Sequence, residues 1–284
     1  MNYITTKDLK PKQIEEIFRI ADRIKGKREA YLANLRPVLA LLFEKPSTRT
    51  RVSFEAAMSH LGGTSIAIDS KSSQLSRGES IADTARVLSL YVDVIAARMF
   101  KQSDIEELAQ NSKVPVINAL TDLEHPCQAL SDIYTVREIL GRVKGVRIAF
   151  VGDIATNTAN SLMSIGAKSG ANMVLVGPKD CKPNKTFIGI AKKYSSVFVY
   201  NDMKRGLRGC DVVYTDTFVS MGEEAEAAQR RKRFAPYQLN SKTVGYAKKG
   251  AKIMHCLPAH RGEEITSQVM DGKDSIILQQ SANK

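Results

Sequence analysis

The stretch Ser47-Thr48-Arg49-Thr50-Arg51 carries three hydroxyl groups and two guanidinium groups, and only Glu44, Lys45 and Pro46 separate it from an apolar run, Val38–Phe43. The run predicts a buried strand, and the helical spacing of the residues that follow puts Ser47 at a helix start. The free backbone N–H groups and the positive dipole end at such a start favour a dianion such as phosphate. A serine N-cap with solvated arginines explains the same residues, so the stretch alone leaves both interpretations open.

Polar side chains also follow other predicted strands. They are Arg98, Asp122, Glu124, His125, Gln128, Asp153, Asn157, Asn160, Asp216, His255 and Cys256. Each one has an ordinary structural explanation: Asn157 could cap a helix, and Cys256 could be a small buried hydrophobe. Because parallel strands bring their carboxyl ends to one edge of a sheet, we expect these groups to converge there.

Short apolar runs alternate with helical patterns along the whole chain. The predicted strands lie at 38–43, 65–68, 94–97, 116–119, 147–151, 172–176, 196–200, 211–215, 252–255 and 275–278. The predicted helices lie at 11–28, 50–61, 80–91, 103–111, 127–140, 158–169, 185–193, 223–232, 236–247 and 264–270. This alternation is typical of βαβ units. We therefore predict an α/β protein with two doubly wound, three-layer parallel-sheet domains, residues 1–140 and 141–284, joined by a helix.

Composition limits the class of protein. The 284 residues are 43% hydrophobic and 25% charged, and no apolar stretch has the length of a membrane span. The N-terminus lacks a signal-peptide pattern, so a cytoplasmic location is expected. The net charge of +12 could attract nucleic acid. However, the basic run Arg230–Arg233 follows the acidic run Glu223–Glu226, which favours a solvated helix face, and a positive field would also steer a small anionic substrate.

Several common site types are disfavoured by the motifs. Gly152-Asp153 lacks the glycines of a dinucleotide fingerprint, and the sequence has no GxxxxGK[ST] motif. His255 and Cys256 with His260 have a spacing that could suit a metal, but paired ligands elsewhere are not evident. The four cysteines form no CxxC pair and are expected to be free thiols.

Four motifs occur together in a characteristic order. They are Ser47-Thr48-Arg49-Thr50-Arg51, His125-Pro126-Cys127-Gln128, Asp216-Thr217-Phe218-Val219-Ser220-Met221-Gly222 and His255-Cys256-Leu257-Pro258. With them the sequence resembles the aspartate/ornithine carbamoyltransferase family over essentially its whole length. The last two motifs are similar to the ornithine branch of that family.

The resemblance implies a carbamoyl transfer from carbamoyl phosphate to the δ-amine of ornithine, with no metal or organic cofactor. It implies carbamoyl phosphate contacts from Ser47, Thr48, Arg49, Thr50, Gln74, Arg98, His125, Gln128, Cys256 and Leu257, and ornithine contacts from Asn157, Asp216, Ser220 and Met221. The catalytic set it implies is Arg98, His125, Asp216 and Cys256. It also implies a homotrimer, or a multiple of trimers, in which Gln74 reaches a neighbouring subunit's site.

The sequence departs from the family at its last residues. Lys284 stands where the family carries a substrate-contacting arginine, and residues 141–284 are expected to lack the family's final long helix. Two alternatives stay open: a carbamoyltransferase for another amine, such as putrescine or an acylated ornithine, and a catalytically silent binding or regulatory protein of the same fold. No nucleic-acid or membrane partner is expected.

Overall fold

Two parallel sheets, one in each half of the chain, form the framework of the protein. The computed structural model describes residues 1–25, 35–70, 73–219 and 224–284. These residues divide into two units, Met1–Cys127 and Gln128–Lys284. Helices flank each sheet, so each unit has the three layers predicted for an α/β fold.

The sheet of the first unit has four strands. They are β1 (Val38–Phe43), β2 (Thr64–Asp69), β3 (Val94–Arg98) and β4 (Val116–Leu120), and their order is β2-β1-β3-β4. All neighbouring strands are parallel. The chain moves outward from β1 to β2 and then crosses to β3, so the strand order reverses between β1 and β3. Ligands of doubly wound sheets bind outside the carboxyl ends of the strands at such a reversal.

The sheet of the second unit repeats this arrangement with five strands. They are β5 (Arg147–Val151), β6 (Asn172–Val176), β7 (Val197–Tyr200), β8 (Val212–Thr215) and β9 (Lys252–His255). The order is β7-β6-β5-β8-β9, again with parallel neighbours. The reversal here lies between β5 and β8, so the loops after these two strands and after β9 are the candidate positions for a ligand.

Twelve helices connect the strands of the described residues. They are α1 (Pro11–Lys25), α2 (Thr48–His60), α3 (Ile81–Leu88), α4 (Gln102–Asn111), α5 (Pro126–Leu140), α6 (Asn157–Lys168), α7 (Lys185–Ala191), α8 (Met203–Leu207), α9 (Ala227–Phe234), α10 (Ser241–Val244), α11 (Ser267–Met270) and α12 (Ile277–Ala282). None of the helices in these parts of the chain is long and apolar enough to cross a membrane.

Burial on both faces explains why the strands read as continuous apolar runs. In the first unit, Ala40 and Leu42 of β1 pack with residues of α3 and α4 on one face, whereas Leu39 and Leu41 pack toward Phe54 of α2 on the other. In the second unit, strands β5, β6, β8 and β9 share one core with α8, α11 and α12. Parallel sheets covered on both faces require this pattern.

Two expectations about the second half of the chain are wrong, and one helix was missed. Residues 275–278 form no strand: Ser275 makes one isolated bridge with Ile253, and α12 begins at Ile277. The short apolar run there fits a helix as well, because Ile277 and Gln280 are buried while Leu278 is 82% exposed. The predicted helix over 236–247 is broken by Asn240, whose capping box starts α10. Helix α8 was not predicted.

Candidate active site

The start of α2 has the geometry expected of an anion site. Ser47 is the N-cap, with an extended backbone (φ −159°, ψ 102°), and its Oγ accepts a hydrogen bond of 3.3 Å from the N–H of Thr50. Thr48 and Arg49 are exposed, and the first turn contains no acidic side chain. Free N–H groups and the helix dipole therefore face solvent beside a cation. The serine cap is therefore present, and it leaves the side chains of Thr48 and Arg49 exposed beside it.

Arg98 adds a second cation to this position. It is the last residue of β3, only 6% exposed, and its Nη1 lies 3.5 Å from the Thr50 hydroxyl, to which it donates. The N–H of Glu44 donates to the Arg98 carbonyl at 2.9 Å, which holds the ends of β1 and β3 together. The reversal of strand order thus places a buried guanidinium against the first turn of α2.

Arg51 lies on the same helix but has a different role. Its Nε donates to Glu55 Oε1 at 2.9 Å, and this pair has the i, i+4 spacing of a helix surface. The guanidinium of Arg51 is therefore paired on its own helix, whereas the side chain of Arg49 is exposed at the helix start.

Lys45 is a residue that sequence reasoning did not assign. Its side chain is 7% exposed, forms an ion pair with Asp122 and lies 4.4 Å from the centre of the Phe100 ring. The N–H of Phe100 donates to Glu44 Oε2 at 2.8 Å. These contacts fasten the loop before α2 to the loops after β3 and β4.

The loop that carries His125 is held by its neighbour Glu124. Glu124 is fully buried and accepts hydrogen bonds from the N–H of Thr6 at 2.8 Å and from the hydroxyls of Thr5 and Thr6. Burial is the larger effect and raises the pKa of Glu124, while these hydrogen bonds oppose the rise. His125 itself is 6% exposed and directly precedes α5. The N-terminal segment of the chain therefore fixes the position of this loop.

Gln74, Ser220 and Met221 also belong to the predicted set of site residues. Gln74 begins a 3-10 turn, Gln74–Arg77, and its side chain is exposed. Ser220 and Met221 lie outside the described residues. The loop leading to them is held by Arg230, whose Nε donates to the Phe218 carbonyl at 2.8 Å.

Arg230 also corrects the interpretation of the basic run. It is 8% exposed and pairs with Asp153 at 2.5 Å, so its side chain lies in the interior of the unit and not on a solvated helix face. Asp153 follows β5, and Arg230 thereby connects α9 to the loop between β5 and α6. In the sequence, a basic run that follows an acidic run gave no indication that Arg230 is buried.

Asp216 and Cys256 meet at adjacent strand ends of the second unit. Cys256 Sγ donates to Asp216 Oδ1 at 3.0 Å. The pKa of Cys256 is raised well above its usual value, mainly by burial and, as the next largest cause, by the negative charge of Asp216. The thiol therefore stays protonated at neutral pH. Asn157 opens α6 after β5, and its Oδ1 accepts from the N–H of Thr158 at 2.7 Å. These residues occupy the three loops that the strand order singles out.

The turn after Cys256 has an unusual backbone. Leu257 has φ +59°, and the bond to Pro258 is cis. The N–H of Leu257 donates to His255 Nδ1 at 2.8 Å, and His255 Nε2 lies 3.0 Å from Glu264 Oε1. Because Nδ1 must accept from a backbone N–H, the ring proton belongs on Nε2 and is donated to the buried Glu264.

Among the residues that the structure describes, two groups of side chains have donor atoms close enough for a metal ion. They are Asp216 with His255 and Cys256, and His260 with Glu263 and Glu264, each within 4.8 Å. In the first group both ring nitrogens of His255 already have partners, and in the second Glu263 bonds to Arg231 at 2.9 Å. A metal would have to displace these hydrogen bonds.

Gln128 lies in the first turn of α5 and is 1% exposed. Its Nε2 donates to Asp132 Oδ1 at 2.8 Å. Asp132 was not singled out from the sequence, although its i, i+4 spacing from Gln128 places both side chains on one face of the helix.

The chain matches known families and proteins over its full length. A family model of the aspartate/ornithine carbamoyltransferase carbamoyl-P binding domain matches residues 1–138, and one of the Asp/Orn binding domain of the same family matches residues 144–284. The chain belongs to the aspartate/ornithine carbamoyltransferase family.

The individual proteins that the chain resembles include ornithine carbamoyltransferases. An ornithine carbamoyltransferase of Anoxybacillus flavithermus is 44% identical, over 100% of this chain and 92% of that protein. An anabolic ornithine carbamoyltransferase of Pyrococcus furiosus is 47% identical, over 95% of this chain and 86% of that protein. A solved structure of the Pyrococcus furiosus enzyme superposes with a TM-score of 0.94, covering 99% of this chain and 92% of that one at 44% identity.

Proposed function

We propose that the protein transfers the carbamoyl group of carbamoyl phosphate to the δ-amine of L-ornithine, giving L-citrulline and phosphate. The observation that carries the proposal is the start of α2 at the β1–β3 reversal, where the Thr50 hydroxyl lies 3.5 Å from the buried guanidinium of Arg98 and the side chain of Arg49 is exposed. Full-length similarity to ornithine carbamoyltransferases supports the choice of both substrates.

The donor substrate is assigned mainly to the domain of residues 1–140. The phosphate binds the N–H groups and side chains of Ser47, Thr48, Arg49 and Thr50, and Arg98 bridges the phosphate and the carbonyl oxygen. His125 donates to the same oxygen, and Gln128 binds the carbamoyl amide. Gln74 of a neighbouring subunit, Cys256 and the carbonyl of Leu257 complete the set. The arrangement suits a dianion because charge-assisted hydrogen bonds favour phosphate.

The acceptor substrate is assigned to the domain of residues 141–284. Asn157, Asp216, Ser220 and Met221 hold the α-amino and α-carboxylate groups of ornithine. Asp216 supports this role, since its carboxylate follows β8 and accepts a hydrogen bond from the neutral thiol of Cys256. Cys256 then faces the amine that reacts.

The reaction forms one C–N bond and breaks one C–O bond. The neutral δ-amine attacks the carbamoyl carbon, and negative charge develops on its carbonyl oxygen. Thr50, Arg98 and His125 stabilise that oxygen, the largest single contribution in most acyl transfers. The C–O bond to phosphate then breaks, the amine proton leaves with the phosphate, and Arg49 offsets the charge of the leaving group. Positioning two substrates side by side supplies much of the remaining rate.

The assembly and location follow the family resemblance. We propose a homotrimer, or a multiple of trimers, located in the cytoplasm, in which Gln74 is supplied across a subunit interface. The exposure of Gln74 in its 3-10 turn is compatible with that role. Sedimentation velocity of the purified protein tests it, and a monomer at micromolar concentration would contradict it.

The decisive experiment is a citrulline assay with carbamoyl phosphate, run in parallel with ornithine, putrescine, an acylated ornithine and aspartate at equal concentrations. We expect turnover with ornithine and a kcat/KM at least about a hundredfold lower with the other acceptors, because each lacks one group that the site is built to bind or that reacts. Putrescine lacks the α-carboxylate, an acylated ornithine lacks the free α-amino group, and aspartate lacks the δ-amine. Exclusive use of putrescine or aspartate would overturn the proposal.

A further inference from the structure

A buried carboxylate on α5 holds the side chain of Gln128. Asp132 is 0% exposed, and its Oδ1 accepts hydrogen bonds from Gln128 Nε2 at 2.8 Å and from Gln280 Nε2 of α12 at 2.7 Å. Gln280 in turn accepts at Oε1 from the N–H of His255, the last residue of β9, at 2.9 Å. A chain of hydrogen bonds therefore runs from Gln128 through two buried side chains to the strand that leads into Cys256.

The chemistry of these groups fixes the orientation of both amides. Both glutamine side chains lie within hydrogen-bond distance of Asp132 Oδ1, while Oδ2 has no hydrogen-bond partner within the described residues. Oδ1 accepts hydrogen bonds in the ionised form and also in the neutral form that carries its proton on Oδ2, so each glutamine turns its NH₂ group toward Asp132. The carbonyl oxygen of Gln128 then points away from Asp132. Within the described residues this Oε1 atom is buried and has no hydrogen-bond partner. A buried acceptor without a partner is costly, and a donor supplied by a ligand would satisfy it.

We propose that Asp132 is a positioning residue that presents the carbonyl oxygen of Gln128 to the NH₂ group of carbamoyl phosphate. The inference rests on the proposed function, since it takes the carbamoyl amide as the ligand of Gln128. Asp132 acts through Gln128 and does not touch the substrate. Without the carboxylate, the Gln128 amide can turn over and offer its NH₂ group, which cannot bond to a second NH₂ group.

Two stable analogues test the orientation directly. Phosphonoacetamide carries the phosphonate, carbonyl and NH₂ groups, whereas acetonylphosphonate replaces the NH₂ group with a methyl group. We expect the protein to bind the amide about tenfold more tightly than the ketone in calorimetric titration, because one buried hydrogen bond separates them. In Asp132→Asn, whose side chain can also donate, this preference is expected to fall to about twofold or less, while affinity for the ketone stays within about threefold.

A matched control lies on the same helix. Glu138 accepts from Gln279 Nε2 at 2.6 Å and from Asn283 Nδ2 at 3.0 Å, so it also joins α5 to α12 but does not contact Gln128. Glu138→Gln is expected to keep the tenfold preference. Loss of the preference in both variants would show that Asp132 only supports the packing of α12 and would overturn the positioning role.

Gln128→Ala separates the two proposals. If neither analogue binds the unaltered protein, the proposed function fails. If Gln128→Ala keeps the preference for the amide, the role of Gln128 fails. If Gln128→Ala loses the preference and Asp132→Asn keeps it, Asp132 is not the positioning residue.

A measurement on the unaltered protein covers the case in which Asp132→Asn does not fold. With ¹⁵N-labelled glutamine, the side-chain NH₂ signal of Gln128 is assigned by its absence in Gln128→Ala. We expect its protons to exchange with solvent at least a hundredfold more slowly than those of an exposed glutamine, both free and with phosphonoacetamide, since they donate to a buried carboxylate. Exchange at the rate of an exposed glutamine would overturn the inference.

Discussion

The imidazole of His255 accepts a hydrogen bond of 2.8 Å from the backbone N–H of Leu257, two residues further along the chain. The same ring is bonded through Nε2 to Glu264, and neither side chain is exposed. His255 therefore shapes the turn that contains Cys256 and Leu257, a role that neither its position at a strand end nor its spacing from Cys256 and His260 had indicated. The left-handed backbone of Leu257 makes such a support necessary, since a bulky residue adopts it at a cost.

Two substitutions at His255 distinguish the contributions of its two hydrogen bonds, the one from the Leu257 N–H to Nδ1 and the one from Nε2 to Glu264. His255→Asn keeps an acceptor near the position of Nδ1, and His255→Gln keeps a donor near the position of Nε2. Because the bond to Leu257 sets the turn, we expect kcat to fall about tenfold or more in the glutamine variant and clearly less in the asparagine variant. Steady-state citrulline assays, with melting temperatures as the control for folding, decide this; equal losses would contradict it.

Arg49 and Arg51 form a matched pair on α2. Arg49→Ala removes the exposed guanidinium from the helix start, so we expect kcat/KM for carbamoyl phosphate to fall by about tenfold to a hundredfold, the value of one or two charge-assisted hydrogen bonds. Arg51→Ala removes only the surface pair with Glu55 and should change kcat/KM by less than about twofold. Both variants should melt within a few degrees of the unaltered protein. Near-normal rates in Arg49→Ala would remove it from the phosphate site.

The Lys45–Asp122 pair predicts unequal effects on stability. Lys45 is 7% exposed and Asp122 is 62% exposed. Asp122→Ala leaves a buried ammonium without its carboxylate, at a cost of about 3 kcal/mol in the free energy of unfolding, whereas Lys45→Met leaves only an exposed carboxylate and should cost about 1 kcal/mol. Urea unfolding of the two variants measures the difference. Equal costs would contradict the prediction, and a cost near zero for Asp122→Ala would mean that the ring of Phe100 stabilises the cation without Asp122.

Because Asp132 is buried, we expect the free energy of unfolding of the protein to depend on pH. Burial, the largest cause, raises its pKa from the usual 3.8 to about 7, against the opposing hydrogen bonds from Gln128 and Gln280. A carboxyl whose pKa is raised on folding holds a proton that the unfolded chain has released, so stability falls as pH rises between these two values. Relative to Asp132→Asn, the unaltered protein should lose about 2 to 3 kcal/mol between about pH 5 and about pH 8. Urea titrations at both pH values check the sign, and a constant difference would contradict it.

The nucleophile predicts a pH dependence of the rate. Only the unprotonated δ-amine attacks carbon, and an alkyl amine of this type has a pKa near about 10. With ornithine well below its KM, kcat/KM should therefore rise by up to about tenfold per pH unit from about pH 7 to about pH 9. A rate that stays flat over this range would show that a step other than attack by the free amine limits the reaction.

The sequence predicted the fold and the polar strand ends well because both depend on local patterns. Each apolar run of a two-sided parallel sheet is visible by itself, and Arg98, Asp216 and Cys256 stand directly after such runs. The alternation of elements could not separate the short strand expected at 275–278 from the first turn of α12, because three apolar residues suit either structure.

Contacts between residues that are far apart in the chain could not be predicted from the sequence. Gln280 meets Asp132 across 148 positions, and Arg230 meets Asp153 across 77. No local pattern distinguishes a buried arginine from its exposed neighbours in a basic run, since the difference is made by the carboxylate that the fold brings to it. Only the i, i+4 spacing of Gln128 and Asp132 could have been recognised in advance.

The bonds from Thr5 and Thr6 to Glu124 have a consequence for the order of synthesis. Thr5 and Thr6 leave the ribosome well before their partner, which follows 119 and 118 positions later. At about 5–20 residues per second, the interval is roughly 6 to 24 s. During it, the N-terminal segment has neither Glu124 nor β4, on which Tyr3 hydrogen-bonds to Val116 and Asn118. The first unit can therefore complete its sheet only after almost all of its own chain has been translated.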